Sequence, residues 1–230
     1  MTEAVKKSEQ TQQRILEAAL SLFQRHGFAE TTMRDIAKEA GVALGAAYYY
    51  FDSKDALVMA FYERAQQQWI LPAEKALSEL KDLKERLRTV IDAKFKCFAP
   101  HRRLLGALST HIDPEHPLSP FSVETQHIRD KDISFMARAT QGAKIKVARD
   151  LRPYLSRLLW LYQMGLILFW IYDRSPEQRK TKQLFAKSLS IVVGLIKLST
   201  LPGLKPVRKL ATDLLEIIYE REPIVAEMTV

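Results

Sequence analysis

The side chains best placed by type and spacing to make specific contacts lie in Met33–Asp52, MRDIAKEAGVALGAAYYYFD, and just beside it. Tyr48 and Tyr49 each offer a ring and a hydroxyl, which suit a phosphate oxygen, a thymine methyl group or a base edge. A helix advances about 100° per residue, so if Ala47, Tyr50 and Phe51 point inward, Gly45 and Tyr49 point outward, flanked by Ala46 and Tyr48. Gly45 and Ala46 are small enough to let the backbone approach a partner closely. Thr31, Thr32 and Arg34 bring hydroxyls, amides and a guanidinium to the start of another helix, a combination that grips phosphate. Lys54 falls in the first turn of a following helix, where a cation opposes the helix dipole and a phosphate partner explains its presence. The candidate contact set is Thr31, Thr32, Arg34, Ala43, Leu44, Gly45, Ala46, Tyr48, Tyr49 and Lys54. The competing reading makes the aromatic run a core at a domain junction. Helical phase assigns Tyr50 and Phe51 to that core and leaves Tyr48 and Tyr49 for the surface.

Other chemistries have no matching constellation. The histidines His26, His101, His111, His116 and His127 show no metal-ligand spacing, and there is neither a Gly-rich phosphate loop nor a G-x-S-x-G elbow. No cofactor or metal is expected, and the chain does not read as an enzyme. The single cysteine, Cys97, rules out a disulfide within the chain and points to a reducing, cytoplasmic setting. The first fourteen residues are polar, which argues against a secretory signal.

The elements that would hold the contact set follow from fixed offsets in the same twenty residues. In a helix-turn-helix the fifth place is small because the second helix crosses nearby, and here it is Ala37. The ninth place favours glycine because the turn needs a left-handed backbone, and here it is Gly41. Ile36, Ala40, Val42, Ala47 and Tyr50 occupy the inward places. Apolar residues recur at three and four through nearly the whole chain, so the fold class is all-α. The expected helices are about 9–26, from Thr31 or Thr32 to 40, 44–50, 52–71 ended by Pro72, 77–98, 102–111, 122–148, 153–172, 176–198 and 205–222, with the proline-rich 113–120 as a loop. A head over residues 9–69, with its helix-turn-helix at about 32–51, would precede a C-terminal domain over 70–230.

The net charge of +8 over 230 residues invites a polyanion partner, but its location does not mark the reading surface. Residues 1–56 hold seven basic and eight acidic side chains, whereas 129–210 hold seventeen basic and five acidic ones. The longest apolar stretch, Leu158–Tyr172, falls short of the ~18 residues of a membrane span and is interrupted by Gln163, so it reads as a buried helix.

At these residues the chain resembles the tetracycline-repressor-like (TetR) family of bacterial regulators. The resemblance rests on Gly27-Phe28, Thr31-Thr32, Asp35-Ile36-Ala37 with Ala40-Gly41-Val42, Gly45 with Tyr48 and Tyr50-Phe51, and Lys54-Asp55 with Leu57. It departs at Ala43 and Ala46, where the family often carries Ser and Thr; both changes remove hydroxyls. The resemblance implies a homodimer on a palindromic double-stranded operator, usually a repressor, released when a ligand binds the C-terminal domain.

Two further sets are expected in that domain. Leu158, Tyr162, Gly165 and Phe169 on one helix, with Leu184, Ser188, Ile191, Gly194 and Leu195 on the next, form a candidate dimer interface; the alternative is an internal core. Phe95, Phe98, Phe121, Phe135, Trp160, Gln163, Met164 and Trp170 are candidate lining for a hydrophobic or aromatic effector; the alternative is ordinary core packing. A DNA-binding dimer governed by a protein partner, and a helical enzyme or carrier, are the rival readings.

Overall fold

The computed structural model describes residues 3–219, all of them in helices, turns or irregular segments, with no strand among the described residues. Ten α-helices follow in order: α1 (Glu3–Arg25), α2 (Met33–Glu39), α3 (Leu44–Tyr50), α4 (Lys54–Glu79), α5 (Leu83–Phe98), α6 (Arg102–Leu108), α7 (Gln126–Gln141), α8 (Arg152–Tyr172), α9 (Arg179–Leu198) and α10 (Lys205–Tyr219). The chain divides into two compact units, residues 1–72 with 93–131 and residues 73–92 with 132–230.

In the first unit α1 buries Ile15, Ala19, Leu22 and Phe23 on one face, the stripe its periodicity predicts. Gly27 ends the helix with φ +96°. Residues 93–131 pack with this head: the Arg103 guanidinium donates to the carbonyls of Gln24 (2.8 Å) and Arg25 (3.1 Å) at the end of α1. The segment before α7 is tied by hydroxyls, with Thr125 Oγ1 donating to Ser119 O at 2.6 Å and Ser122 Oγ to Pro117 O at 3.0 Å. These bonds delay the start of α7 to Gln126, four residues after the expected start.

Pro72 does not break α4. A proline inside a helix loses one hydrogen bond and crowds the carbonyl four residues back. Burial of Trp69, Ala73 and Leu77 around it offsets that cost and carries the helix to Glu79. The break falls at residues 80–82 instead, where Asp82 Oδ1 accepts from Glu85 N at 3.1 Å and starts α5. The expected 77–98 helix therefore begins at Leu83.

In the second unit the end of α4 and the end of α7 meet one cation. Arg86 is buried, and its guanidinium donates to Leu77 O and Leu80 O (2.5 Å each), Ala139 O (2.7 Å) and Arg138 O (2.8 Å). They lie at helix C-termini, where carbonyls lack the next turn's amides; Arg138 O also accepts from Gly142 N at 3.2 Å. Burial and the neighbouring Arg138 lower the Arg86 pKa, and the guanidinium stays charged. Gly142, just past α7, lies against it: a Cβ there would stand 2.1 Å from Nη2.

The turn into α9 is fixed by a second buried charge. Asp173 accepts from Ser175 N (2.8 Å), Thr181 N (2.9 Å) and Thr181 Oγ1 (2.7 Å). Burial pushes the Asp173 pKa up, but the bonds from Ser175 and Thr181 outweigh it and hold the carboxyl well below the usual carboxylate range. The preceding residues Glu177 and Gln178 sit at φ 50° and 51°, left-handed conformations that non-glycine residues adopt only when their surroundings impose them.

Two outcomes test these anchors. Arg86→Met removes the guanidinium from the carbonyls of Leu77, Leu80 and Ala139 and should cost about 3 kcal/mol or more in chemical denaturation. Gly142→Ala, which displaces the guanidinium, should cost less but more than a surface change; wild-type stability in both variants would remove Arg86 from its structural role. For Asp173 the depressed pKa means its contribution is full above the ordinary carboxylate value of 3.8 and is lost as pH falls below it. The Tm advantage of wild type over Asp173→Asn at pH 7 should shrink on acidification through pH ~4.

Candidate nucleic-acid interface

The geometry of the reading segment begins with how α2 is started. Thr32 is its N-cap: Thr32 Oγ1 accepts from Asp35 N at 3.2 Å, and Asp35 Oδ2 accepts from Thr32 N at 3.0 Å. This reciprocal box satisfies two free donors at once. It also commits the Thr32 hydroxyl, which donates to Asp35 Oδ2 at 2.6 Å. Those bonds hold the Asp35 carboxyl below its ordinary pKa. Thr31 is buried and donates to Gly27 O at 2.7 Å, so it stitches the α1–α2 turn and presents no hydroxyl to a phosphate. Arg34, one turn in, is exposed.

Between α2 and α3 the chain turns through Gly41 at φ +64°, with Val42 N donating to Ala37 O at 3.0 Å. This left-handed residue is the one the offset pattern requires. Ile36, Ala37 and Ala40 are buried on the inner side. Ala43 is the N-cap of α3 and supplies no side-chain hydrogen bond, the structural consequence of the missing hydroxyl. Ala47 and Phe51 are buried, while Tyr50 is half-buried and its hydroxyl lies 3.1 Å from Ser8 Oγ on α1. That contact fixes the rotation of α3. The opposite face carries Gly45, Tyr48 and Tyr49, with Leu44 and Ala46 half-buried beside them. Tyr49 is 82% exposed and Tyr48 49% exposed. The Tyr49 ring packs edge-on to Tyr50 at 5.2 Å, which orients it on the helix surface.

Lys54 corrects the sequence reading. Its ammonium is drawn inward, donating to Phe28 O at 2.7 Å and Ala29 O at 3.2 Å, and sits 4.7 Å from the centre of the Phe28 ring. The neutral carbonyls past the end of α1 accept the ammonium protons that the sequence suggested for a phosphate. The sequence did not show Ser8 as a support, nor the positioning roles of Phe28 and Asp35. Only Asp35 carried a local signal, three residues after Thr32.

The candidate effector residues are split between the units. Phe95, Phe98 and Phe121 belong to the first; Phe135, Trp160, Gln163, Met164 and Trp170 belong to the second. Phe121 is exposed, and Phe98 lies 6.2 Å from Phe61, centre to centre. In the second unit Phe135, Trp160, Gln163 and Trp170 are buried and Met164 is half-buried. Gln163 is 1% exposed, and neither its amide nitrogen nor its amide oxygen has a hydrogen-bond partner among the described residues.

The α8–α9 set behaves differently from a closed core. α8 buries Leu155, Leu159, Leu166 and Trp170 on one side and leaves Gly165, Leu168, Phe169 and Tyr172 exposed on the other, with Leu158 and Tyr162 half-buried. At 21 residues it is long and apolar enough to cross a membrane by length and composition, and half of its apolar window is buried in the fold. On α9, Leu184, Ile191 and Leu195 are exposed, and Ser188 and Gly194 half-buried, along one line. Tyr162 Oη and Ser188 Oγ, 2.7 Å apart, join the two helices. Added Cβ atoms at Gly165 and Gly194 would meet nothing within 4 Å, so these glycines open outward and do not serve helix contact within the chain.

Comparison with known proteins matches this geometry. Residues 15–61 match the family described as bacterial regulatory proteins, tetR family, and residues 86–214 match the tetracyclin repressor-like, C-terminal domain. The fatty acid metabolism regulator protein of Bacillus subtilis (strain 168) is 30% identical over 99 residues, 43% of this chain and 50% of that protein. The regulator UidR of Escherichia coli (strain K12) is 21% identical over 190 residues, 81% of this chain and 93% of UidR. This chain spans only 37% to 50% of the length of three of its curated relatives. Among solved structures, FadR from Bacillus subtilis in complex with stearoyl-CoA has a TM-score of 0.60 at 19% identity, covering 79% of this chain and 97% of its own. Salmonella enterica GusR has a TM-score of 0.61 at 22% identity, covering 86% and 98%. At those identities the likeness shows the fold. The C-terminal match alone spans more than half of the chain, and with the N-terminal match it shows that this all-α, helix-turn-helix protein belongs to the TetR family of DNA-binding transcriptional regulators.

Proposed function

We propose that this chain acts as a homodimeric repressor that reads a palindromic operator through α3 and releases it when a small apolar molecule binds beside α8. The observation that carries the reading is the exposed Tyr48–Tyr49 face of a helix whose other side is locked by Ala47, Phe51 and the Ser8–Tyr50 contact. A rigid short helix with exposed aromatic and small residues is suited to the major groove, where Tyr49 meets base edges or thymine methyls and Arg34 meets phosphate. Thr31 and Lys54 act as supports for that face. The nearly neutral head leaves recognition to shape and a few contacts, with long-range attraction supplied elsewhere on the molecule.

Dimerisation sets the second requirement. Two reading helices must stand about 34 Å apart to enter successive major grooves. The exposed apolar line of α8 and α9 supplies a self-complementary surface for a two-fold partner. Effector binding releases the operator only through a difference in affinity between two states of the dimer.

The effector reading rests on Gln163. A buried amide with both atoms unpaired costs about 1–3 kcal/mol, and it sits on a helix rich in Leu and aromatic side chains. A mostly apolar molecule carrying one carbonyl or hydroxyl would satisfy it. The solved FadR of Bacillus subtilis holds stearoyl-CoA, which supports an extended apolar ligand as the first class to screen.

Selection from random duplexes followed by footprinting should return a palindromic site. On that site Tyr49→Ala should weaken binding at least tenfold, roughly 1.4 kcal/mol, with the dimer unchanged in sedimentation. Lys54→Ala should instead lower the Tm and spare the affinity of the folded protein; Tyr49→Ala binding at wild-type strength would overturn the interface. Gln163→Leu should raise the Tm of the free protein and abolish the thermal shift given by acyl or aromatic ligands. A full ligand shift in that variant would place the effector elsewhere.

A further inference from the structure

We infer that α10 is an arm that grips the second copy of this chain, extending the dimer beyond the α8–α9 face; the inference rests on the homodimer reading above. α10 is amphipathic, and its roll is fixed by its own chain. Arg208 Nε donates to Asp150 Oδ2 at 2.7 Å, its Nη1 donates to Ser199 O at the end of α9, and Thr212 is buried. That roll turns the apolar sector outward. Val207, Leu210, Leu214, Ile217 and Ile218 lie within one helical face and each is at least 62% exposed. The stripe runs roughly 16 Å along the helix. A surface of this kind on a folded chain marks an interaction site.

Two observations identify the occupant as a second copy. First, the stripe continues the α9 face. Exposed leucines recur at 195, 198, 201 and 204, from the end of α9 through the turn to Val207. A partner that covers Leu195 thus meets the base of α10. Second, the chain bends by 100° between α9 and α10, so α10 leaves the line of α9 at a steep angle and does not simply lengthen it. An arm at that angle reaches around a neighbour seated on α9.

The test is sedimentation equilibrium of the full chain with Leu210→Glu/Leu214→Glu, beside Gly194→Glu on α9. Both leucines are exposed in the single chain, so the double variant should keep its helical content. We expect it to raise the dimer dissociation constant at least a hundredfold. A second readout is the maleimide reactivity of Leu214→Cys, followed on the modified peptide so that half-buried Cys97 does not interfere. Leu214→Cys should be protected in the dimer and react freely once Gly194→Glu has dissociated it. Wild-type association of the double variant, or equal reactivity of Leu214→Cys in dimer and monomer, overturns the arm, whether the stripe is then open, covered by its own chain or held by lipid. If Gly194→Glu stays dimeric while the double variant dissociates, α10 carries the dimer and the α8–α9 reading fails alone. A wild-type chain that is monomeric at every concentration ends both.

Discussion

An all-helical chain must find partners for the last carbonyls of every helix, and this one does so largely with cations. Lys54 binds the carbonyls after α1, Arg103 those at its end, Arg86 those of α4 and α7, and Arg208 one at the end of α9. Glycine, the usual terminator, is scarce at eight in 230 residues, and among the described glycines only Gly27 and Gly41 have positive φ. A cation at a helix C-terminus also meets the negative end of the dipole, so each such contact is favoured twice. Part of the basic excess therefore serves the interior, which explains why charge does not point to the reading surface.

The reading helix depends on these supports. α3 has seven residues and no side-chain cap at its start, too short to hold its own shape. Its conformation is imposed by the capping box of α2, the Gly41 turn, the inward Ala47 and the Ser8–Tyr50 contact. Lys54 holds the α1–α2 turn on which α2 starts. Thr31, Thr32, Asp35 and Lys54 are spent on these supports, while Arg34, Tyr48 and Tyr49 stay exposed.

The second unit shows the opposite balance of satisfied and unsatisfied surface. Its ends are closed tightly by Arg86 and Asp173, while α8, α9 and α10 leave rows of large apolar side chains in water. Inside, among the described residues, Gln163 combines near-complete burial with a wholly unpaired side-chain amide. Tight ends with an unfinished face and an unfinished polar site fit the proposed function, in which a second copy would finish the face and an effector the polar site.

Sequence patterns were enough to determine the class, the helix-turn-helix and its inward set, because these depend on local rules: helical period, the small fifth place and the left-handed ninth. Ile36, Ala37, Ala47 and the Gly41 angle follow them directly. The outward line of α8 and α9 was legible for the same reason, since period alone groups Leu184, Ser188, Ile191 and Leu195. What only the tertiary structure decided were the partners across long sequence separations. Lys54 and Thr31 turned inward because carbonyls at positions 27–29 lie beside them. Pro72 stayed helical because buried neighbours outweighed its local cost, and α10 turned its apolar side outward because Arg208 and Thr212 took the inner one. Propensity fixes what a segment can form; the carbonyls, charges and apolar surface brought to it by distant segments fix which way each side chain faces.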